Sequence, residues 1–117
     1  MSPLNHKDFR SGNLVKYDGR IFELDSIAKE FPTLNTDEFG IGVVDWNNIE
    51  AIPLSEDVLV KLGAEKKSSA EFRIGNRLLI YRKFSWWDYG ADVELPYTHT
   101  LQNFIFAVTN QELIYTP

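Results

Sequence analysis

The chain has 117 residues, near the common size of one domain, and its 44% hydrophobic content is enough for one core. It contains no cysteine, which excludes disulfides, thiolate metal sites and a cysteine nucleophile. The net charge of −5 disfavours generic DNA or RNA binding, because such binders need a basic surplus to neutralise phosphates. Residues 1–10 lack the apolar core of a signal peptide, and no apolar run is long enough for a membrane span. We therefore expect a single domain over residues 1–117, located in the cytoplasm and without membrane contact.

A hairpin signal follows the first residues of the chain. Residues 1–10 predict a short turn or helix that enters the domain. Two strand-like runs, 13–17 and 20–27, then flank Asp18 and Gly19. This pair is a strong hairpin signal, because both residues of such a turn must accept positive φ.

Two more strands are predicted before the middle of the chain. Residues 28–39 contain proline, asparagine and several charges, which predicts a loop. The runs 40–46 and 49–54 are rich in strand-forming residues and are separated by a turn at 47–48. Pro53 should lie at a strand edge or end, since it has no N–H for the ladder. With the hairpin, these strands could curl into a small SH3-like barrel.

The clearest helix boundary lies at Ser55. Serine is a good N-cap, and the two acids that follow it place negative charge on the first turn. Leu54 and Leu59 have the spacing of a hydrophobic staple, and Gly63 can end the helix with positive φ. Residues 64–69 are polar and predict a connector.

A second hairpin and an aromatic segment follow. The runs 71–74 and 77–84 flank Gly75-Asn76, and glycine in the first position suits a type II′ turn. Residues 84–92 predict an aromatic-rich loop, and 93–95 a short strand that ends at a proline.

The chain ends with a second helix. Over residues 98–109, apolar side chains recur at i, i+3, i+4 and i+7 from Leu101, which is helical spacing. Asn110 is suited to the position after the helix, and 113–115 predict a final strand. The fold class is therefore α+β, with a mainly antiparallel, strongly bent sheet and two short helices.

Three blocks of this sequence resemble small uncharacterised proteins of Bacteroidetes phages, prophages and related mobile elements. The most specific block begins at His99 and reads His-x-Leu-Gln-Asn-x-x-Phe-Ala-x-Thr. The other two are residues 10–17 with their Asp-Gly turn, and residues 49–57 running into the helix that ends at Gly63. Thr100, Asn110 and Gln111 depart from the family pattern, and residues 84–90 are not part of it. The resemblance implies a phage or mobile-element setting in a bacterial host cell and supplies no activity.

The strongest candidate for function is the aromatic-basic segment, residues 82–89, with Arg77 before it as a further cation. Adjacent tryptophans in an extended chain point to opposite sides, so Trp86 and Trp87 cannot both face one core. Aromatic rings beside basic groups can anchor a protein partner, or can stack a base and hold its phosphate. The alternative is that the segment folds over the sheet as a second small core. The candidate binding residues are Arg77, Arg82, Lys83, Trp86, Trp87 and Tyr89.

One face of the last helix is polar. His99, Gln102, Asn103 and Phe106 cluster at 100° per residue, opposite the apolar positions. Buried amides must find hydrogen-bond partners, so we interpret this face mainly as structural.

No catalytic, phosphate-binding or metal-binding motif occurs in the sequence, so we expect neither an enzyme nor a cofactor. Our first hypothesis is a non-catalytic phage accessory protein that binds a protein partner through the aromatic-basic segment. The second is a counter-defence sponge that sequesters a host nucleotide signal on the same residues. The third is a small hydrolase that uses Asp88, Asp92 or His99. The identity of the ligand and the oligomeric state stay open.

Overall fold

The computed structural model describes residues 6–27, 31–36 and 40–117 of the chain. It divides into two compact units, Met1–Ile52 and Pro53–Pro117. Each unit contains one five-stranded antiparallel sheet, and the α-helices of the described residues belong to the second unit. The α+β class is confirmed, while the prediction of a single domain stays a prediction. None of the described helices is long and apolar enough to cross a membrane.

The first unit is built on one sheet, called here the first sheet, with strand order β4-β3-β2-β1-β5. Strand β5 pairs with β1, so β4 and β5 are the two end strands of this order. The SH3-like barrel therefore stays a prediction. The elements are a 3₁₀ turn at His6–Asp8, β1 Leu14–Tyr17, β2 Arg20–Ser26, β3 Thr33–Thr36, β4 Gly40–Val43, a 3₁₀ turn at Trp46–Asn48 and β5 Ile49–Glu50.

The predicted first hairpin is confirmed. Tyr17 pairs with Arg20 across the turn, and Asp18 and Gly19 have φ of 51° and 76°. Both residues thus lie in the left-handed region, which explains the strength of the Asp-Gly signal. The buried core of this unit comprises Phe9, Val15, Leu24, Leu34, Trp46 and Ile49.

Three predictions for the first unit need correction. The loop predicted over 28–39 contains strand β3, while residues 28–30 and 37–39 lie outside the described residues. The strand predicted over 40–46 ends at Val43, and Trp46 begins a 3₁₀ turn in which Asn47 donates its N–H to Asp45 Oδ1. The strand predicted over 49–54 ends at Glu50.

The second unit combines two α-helices with the second sheet, whose strand order is β10-β9-β8-β7-β6. Each strand of this sheet pairs with its neighbour in the chain, so the sheet is an antiparallel meander. The elements are α1 Glu56–Lys61, β6 Glu65–Ser68, β7 Glu71–Ile74, β8 Arg77–Arg82, β9 Ser85–Asp88, β10 Val93–Glu94 and α2 Thr98–Thr109.

The start of α1 and the ends of both helices agree with the boundary residues predicted for them. Ser55 Oγ accepts the N–H of Val58 at 3.3 Å, and Gly63 has φ of 91° just after α1. At the end of α2, Asn110 is left-handed with φ of 59° and donates its N–H to the carbonyl of Phe106. These caps satisfy backbone groups that a helix end would otherwise leave without a partner.

Three further predictions are wrong in the second unit. The connector predicted over 64–69 contains strand β6, and the loop predicted over 84–92 contains strand β9. All four residues of β6 are exposed, so it lacks the alternation of polar and apolar residues that marks a half-buried strand. The final strand predicted over 113–115 does not form, although Thr116 donates its N–H to the carbonyl of Lys61.

Candidate binding site on the second sheet

The two adjacent tryptophans of β9 lie on opposite faces of the second sheet. Trp86 is only 6% exposed, and its ring centroid lies 5.4 Å from that of Phe72 and 5.2 Å from that of Tyr81. Trp87 is half-buried and pairs with Ile80 of β8. The alternation of side chains along a strand thus separates them. Trp86 belongs to the core, and Trp87 remains accessible from outside.

Arg77 is held by a buried carboxylate. Its Nε and Nη2 donate to the two oxygens of Asp88 at 3.0 and 2.5 Å, and the Asp88 side chain is fully buried. These hydrogen bonds hold the pKa of the Arg77 guanidinium above its ordinary value. Asp88 also accepts the N–H of Ala91, and the guanidinium lies over the ring of Phe104 in α2, 5.4 Å from its centroid. Arg77 therefore links β8, the turn after β9 and α2.

Arg82 lies on the outer side of β9. Its guanidinium lies 4.6 Å from the centroid of the Trp87 ring and forms an ion pair with Asp92. The indole Nε1 of Trp87 in turn donates to the Arg82 carbonyl at 3.2 Å. Arg82 and Trp87 thus hold each other in position, and the positive charge of Arg82 is balanced by the carboxylate of Asp92.

The turn between β8 and β9 carries an exposed phenylalanine, Phe84, which belongs to the aromatic-basic segment but is not one of the six candidate binding residues. Lys83 and Phe84 form a two-residue turn between the paired residues Arg82 and Ser85, with φ of 50° and 63°. Positive φ at both positions is the requirement of a type I′ turn, which normally uses asparagine, aspartate or glycine. Phe84 is 94% exposed, and Lys83 is exposed beside it. No local sequence signal marks Lys-Phe as a turn, so the position of Phe84 at a hairpin tip could not be predicted.

Tyr89 follows β9 on the next turn. Its N–H donates to the carbonyl of Leu78, and its side chain is 66% exposed. The turn is held by Asp88, whose carbonyl accepts the N–H of Asp92, a residue with φ of 56°. Two of the six candidate residues are engaged inside the unit, since Trp86 is buried in the core and Arg77 is paired with Asp88. The other four are exposed or half-buried and remain accessible: Arg82, Lys83, Trp87 and Tyr89.

The polar face of α2 lies largely in the interior. His99 and Gln102 are buried, and Asn103 and Phe106 are half-buried. The His99 imidazole stacks on the ring of Tyr97 with 5.7 Å between centroids. This placement agrees with a structural role for the face.

Two of the three residues named for hydrolysis, Asp88 and Asp92, are held in ion pairs. Asp88 accepts hydrogen bonds from Arg77 on both oxygens, and Asp92 is paired with Arg82. In the described part of the chain, no group of three or more histidine or carboxylate side chains could hold a metal ion.

No family model, curated protein or solved structure matches this chain.

Proposed function

We propose that this protein is a small, non-catalytic binding module that docks on a partner protein through the tip of the β8–β9 hairpin. Phe84 is the anchor, and the side chains of Arg82, Lys83, Trp87 and Tyr89 supply further contacts. The phage or mobile-element setting, the accessory role and the bacterial cytoplasm rest on the sequence resemblance alone.

The observation that carries this proposal is the exposed Phe84 on a left-handed backbone. A residue with a Cβ in this conformation costs about 1–2 kcal/mol relative to a relaxed one. Two other two-residue turns, Asp18-Gly19 and Gly75-Asn76, place a glycine at a position of positive φ and so reduce that cost. An exposed apolar ring adds no burial that would offset the strain. Strain that packing does not explain is typical of functional positions.

A protein partner is favoured over a nucleotide because the arginines are already engaged. Holding a phosphate needs cations that can turn towards it. Arg77 is bound to the buried Asp88, and Arg82 is stacked on Trp87 and paired with Asp92. Lys83 alone of the three candidate cations has no carboxylate partner among the described residues. The nucleotide sponge remains the second candidate, because Trp87 and Tyr89 could still stack a base.

A photo-crosslinking amino acid at position 84 tests this proposal. The variant is expressed in a Bacteroidetes host cell, and irradiation should join it to a specific protein. The matched control carries the same group at Ile114, another exposed apolar residue of the second unit. Unlabelled wild-type protein should suppress the adduct, and the Phe84→Gly variant should not. Equal adducts at both positions would contradict docking through the hairpin tip, and calorimetric heat with nucleotides would favour the sponge instead.

A further inference from the structure

We infer that the partner surface which receives the hairpin tip is an apolar pocket rimmed by carboxylates. This inference rests on the proposed function and adds the chemistry of the partner. It follows from the charge at the tip, which differs in sign from the charge of the chain as a whole.

Lys83 is the free cation of the tip. It is exposed, stands directly beside Phe84, and has no ion-pair partner among residues 6–27, 31–36 and 40–117. On the strands next to the turn, Arg82 is paired with Asp92, and Glu94 lies opposite Trp87. The two-residue turn itself therefore carries one positive charge, on a chain whose net charge is −5. A partner that buries Phe84 brings its own side chains close to the ammonium of Lys83, and carboxylates are the natural acceptors for that group.

The tip is held in shape before it meets a partner. The positive φ values of the turn fix the direction of the Cα–Cβ bond of Phe84, and the contact between Arg82 and Trp87 supports the two strands that lead to the turn. A rigid anchor loses less conformational entropy on binding than a flexible one. An exposed apolar ring on a preorganised turn, with one cation beside it, thus fits best into an apolar pocket that has negative charge at its rim.

Random peptides displayed on phage provide a probe of this chemistry. The full-length protein is immobilised and panned in parallel with the Phe84→Gly variant, which should fold because glycine relieves the strain of the turn. Peptides that bind only the wild-type chain should combine aliphatic or aromatic residues with aspartate or glutamate. Peptides that depend on Phe84 but carry no acidic residues would overturn this inference and leave the proposed function standing. Panning that enriches no Phe84-dependent peptide would overturn both.

Charge reversal then separates the role of Lys83 from the net charge of the chain. With a selected peptide, Lys83→Glu should raise the dissociation constant about tenfold or more, because like charges at an interface are strongly unfavourable. The matched control is Lys67→Glu, which changes net charge equally on the exposed strand β6, where Lys67 is paired with Glu65. It should change the constant less than about twofold, because β6 lies two strands from β8, roughly 10 Å across the sheet, and salt screens exposed charges at such separations. Equal effects of the two variants would show that only net charge matters and would overturn the inference.

Discussion

Trp86 and Trp87 have the same side chain, adjacent positions and opposite roles. The strand geometry of β9 turns one ring between Phe72 and Tyr81, and turns the other outward beneath Arg82. The sequence predicts this separation but not its direction. The buried face of β9 also holds Asp88, a charged residue that is seldom buried. The sequence does not show that Asp88 pairs with Arg77, and an aspartate without a known partner is typical of a solvated loop.

Replacing each tryptophan by alanine should therefore give unequal losses of stability. Trp86→Ala removes a core ring and should lower the free energy of unfolding by about 3–5 kcal/mol. Trp87→Ala removes a half-buried ring and its contact with Arg82, and should cost about 1–2 kcal/mol. Urea unfolding followed by circular dichroism measures both. Similar losses for the two variants would mean that both rings belong to the core.

The ion pair between Arg77 and Asp88 should be costly to break and tolerant of apolar replacement. Asp88→Ala leaves a guanidinium without its acceptor and should lower the free energy of unfolding by about 3–5 kcal/mol. The double variant Arg77→Met with Asp88→Leu should recover most of this loss, because buried pairs often can be replaced by apolar groups. Glu65→Ala, which breaks an exposed pair with Lys67, is the control and should change stability by less than about 1 kcal/mol. Chemical denaturation of the four proteins, wild type included, gives the comparison.

At the scale of elements, the sequence predicts those helices whose ends are marked by capping residues. Both α-helices were predictable because Ser55, Gly63 and Asn110 have local roles that do not depend on the rest of the fold. Strands β6 and β9 could not be predicted in this way. All residues of β6 are polar, and β9 follows a turn, Lys83-Phe84, that lacks the glycine, asparagine or aspartate typical of turns. A strand of this kind is specified by its neighbours in the sheet, which a local pattern does not contain.

The hairpin turns offer a test of the strain at Lys83 and Phe84. Replacing them by Asn-Gly should raise the free energy of unfolding by about 1–2 kcal/mol, because these residues suit positive φ. The reverse change at the first hairpin, Asp18→Lys with Gly19→Phe, should lower it by a similar amount. At Gly19 an added Cβ would have nothing within 4 Å, so this change tests backbone strain without a clash. Urea denaturation compares the two double variants. A loss of stability in the Asn-Gly variant would show that the backbone at Lys83 and Phe84 is not strained. It would then remove the observation from which a functional role of Phe84 is inferred.

At the scale of the whole molecule, each unit has the parts that an independent fold requires. Phe9, Val15, Leu24, Leu34, Trp46 and Ile49 form a core within the first unit. The second unit has its own five-stranded sheet, both α-helices and separate buried side chains, among them Leu59, Phe72, Leu79, Leu95 and Leu101. The prediction of one domain rests on length and composition, which do not show how residues group into cores, and it stays a prediction.

The second unit should fold without the first. Residues 53–117 include the complete β6–β10 meander, and domains of about 55–65 residues can fold alone. We expect this fragment to give dispersed amide signals by NMR and a cooperative urea transition, and to retain the Phe84-dependent binding of the full chain. A Trp86→Ala version of the fragment should lose the transition, because a smaller core has less stability to spare. A fragment with collapsed amide dispersion and no cooperative transition would instead mean that the two units form one folding domain, as the sequence predicts.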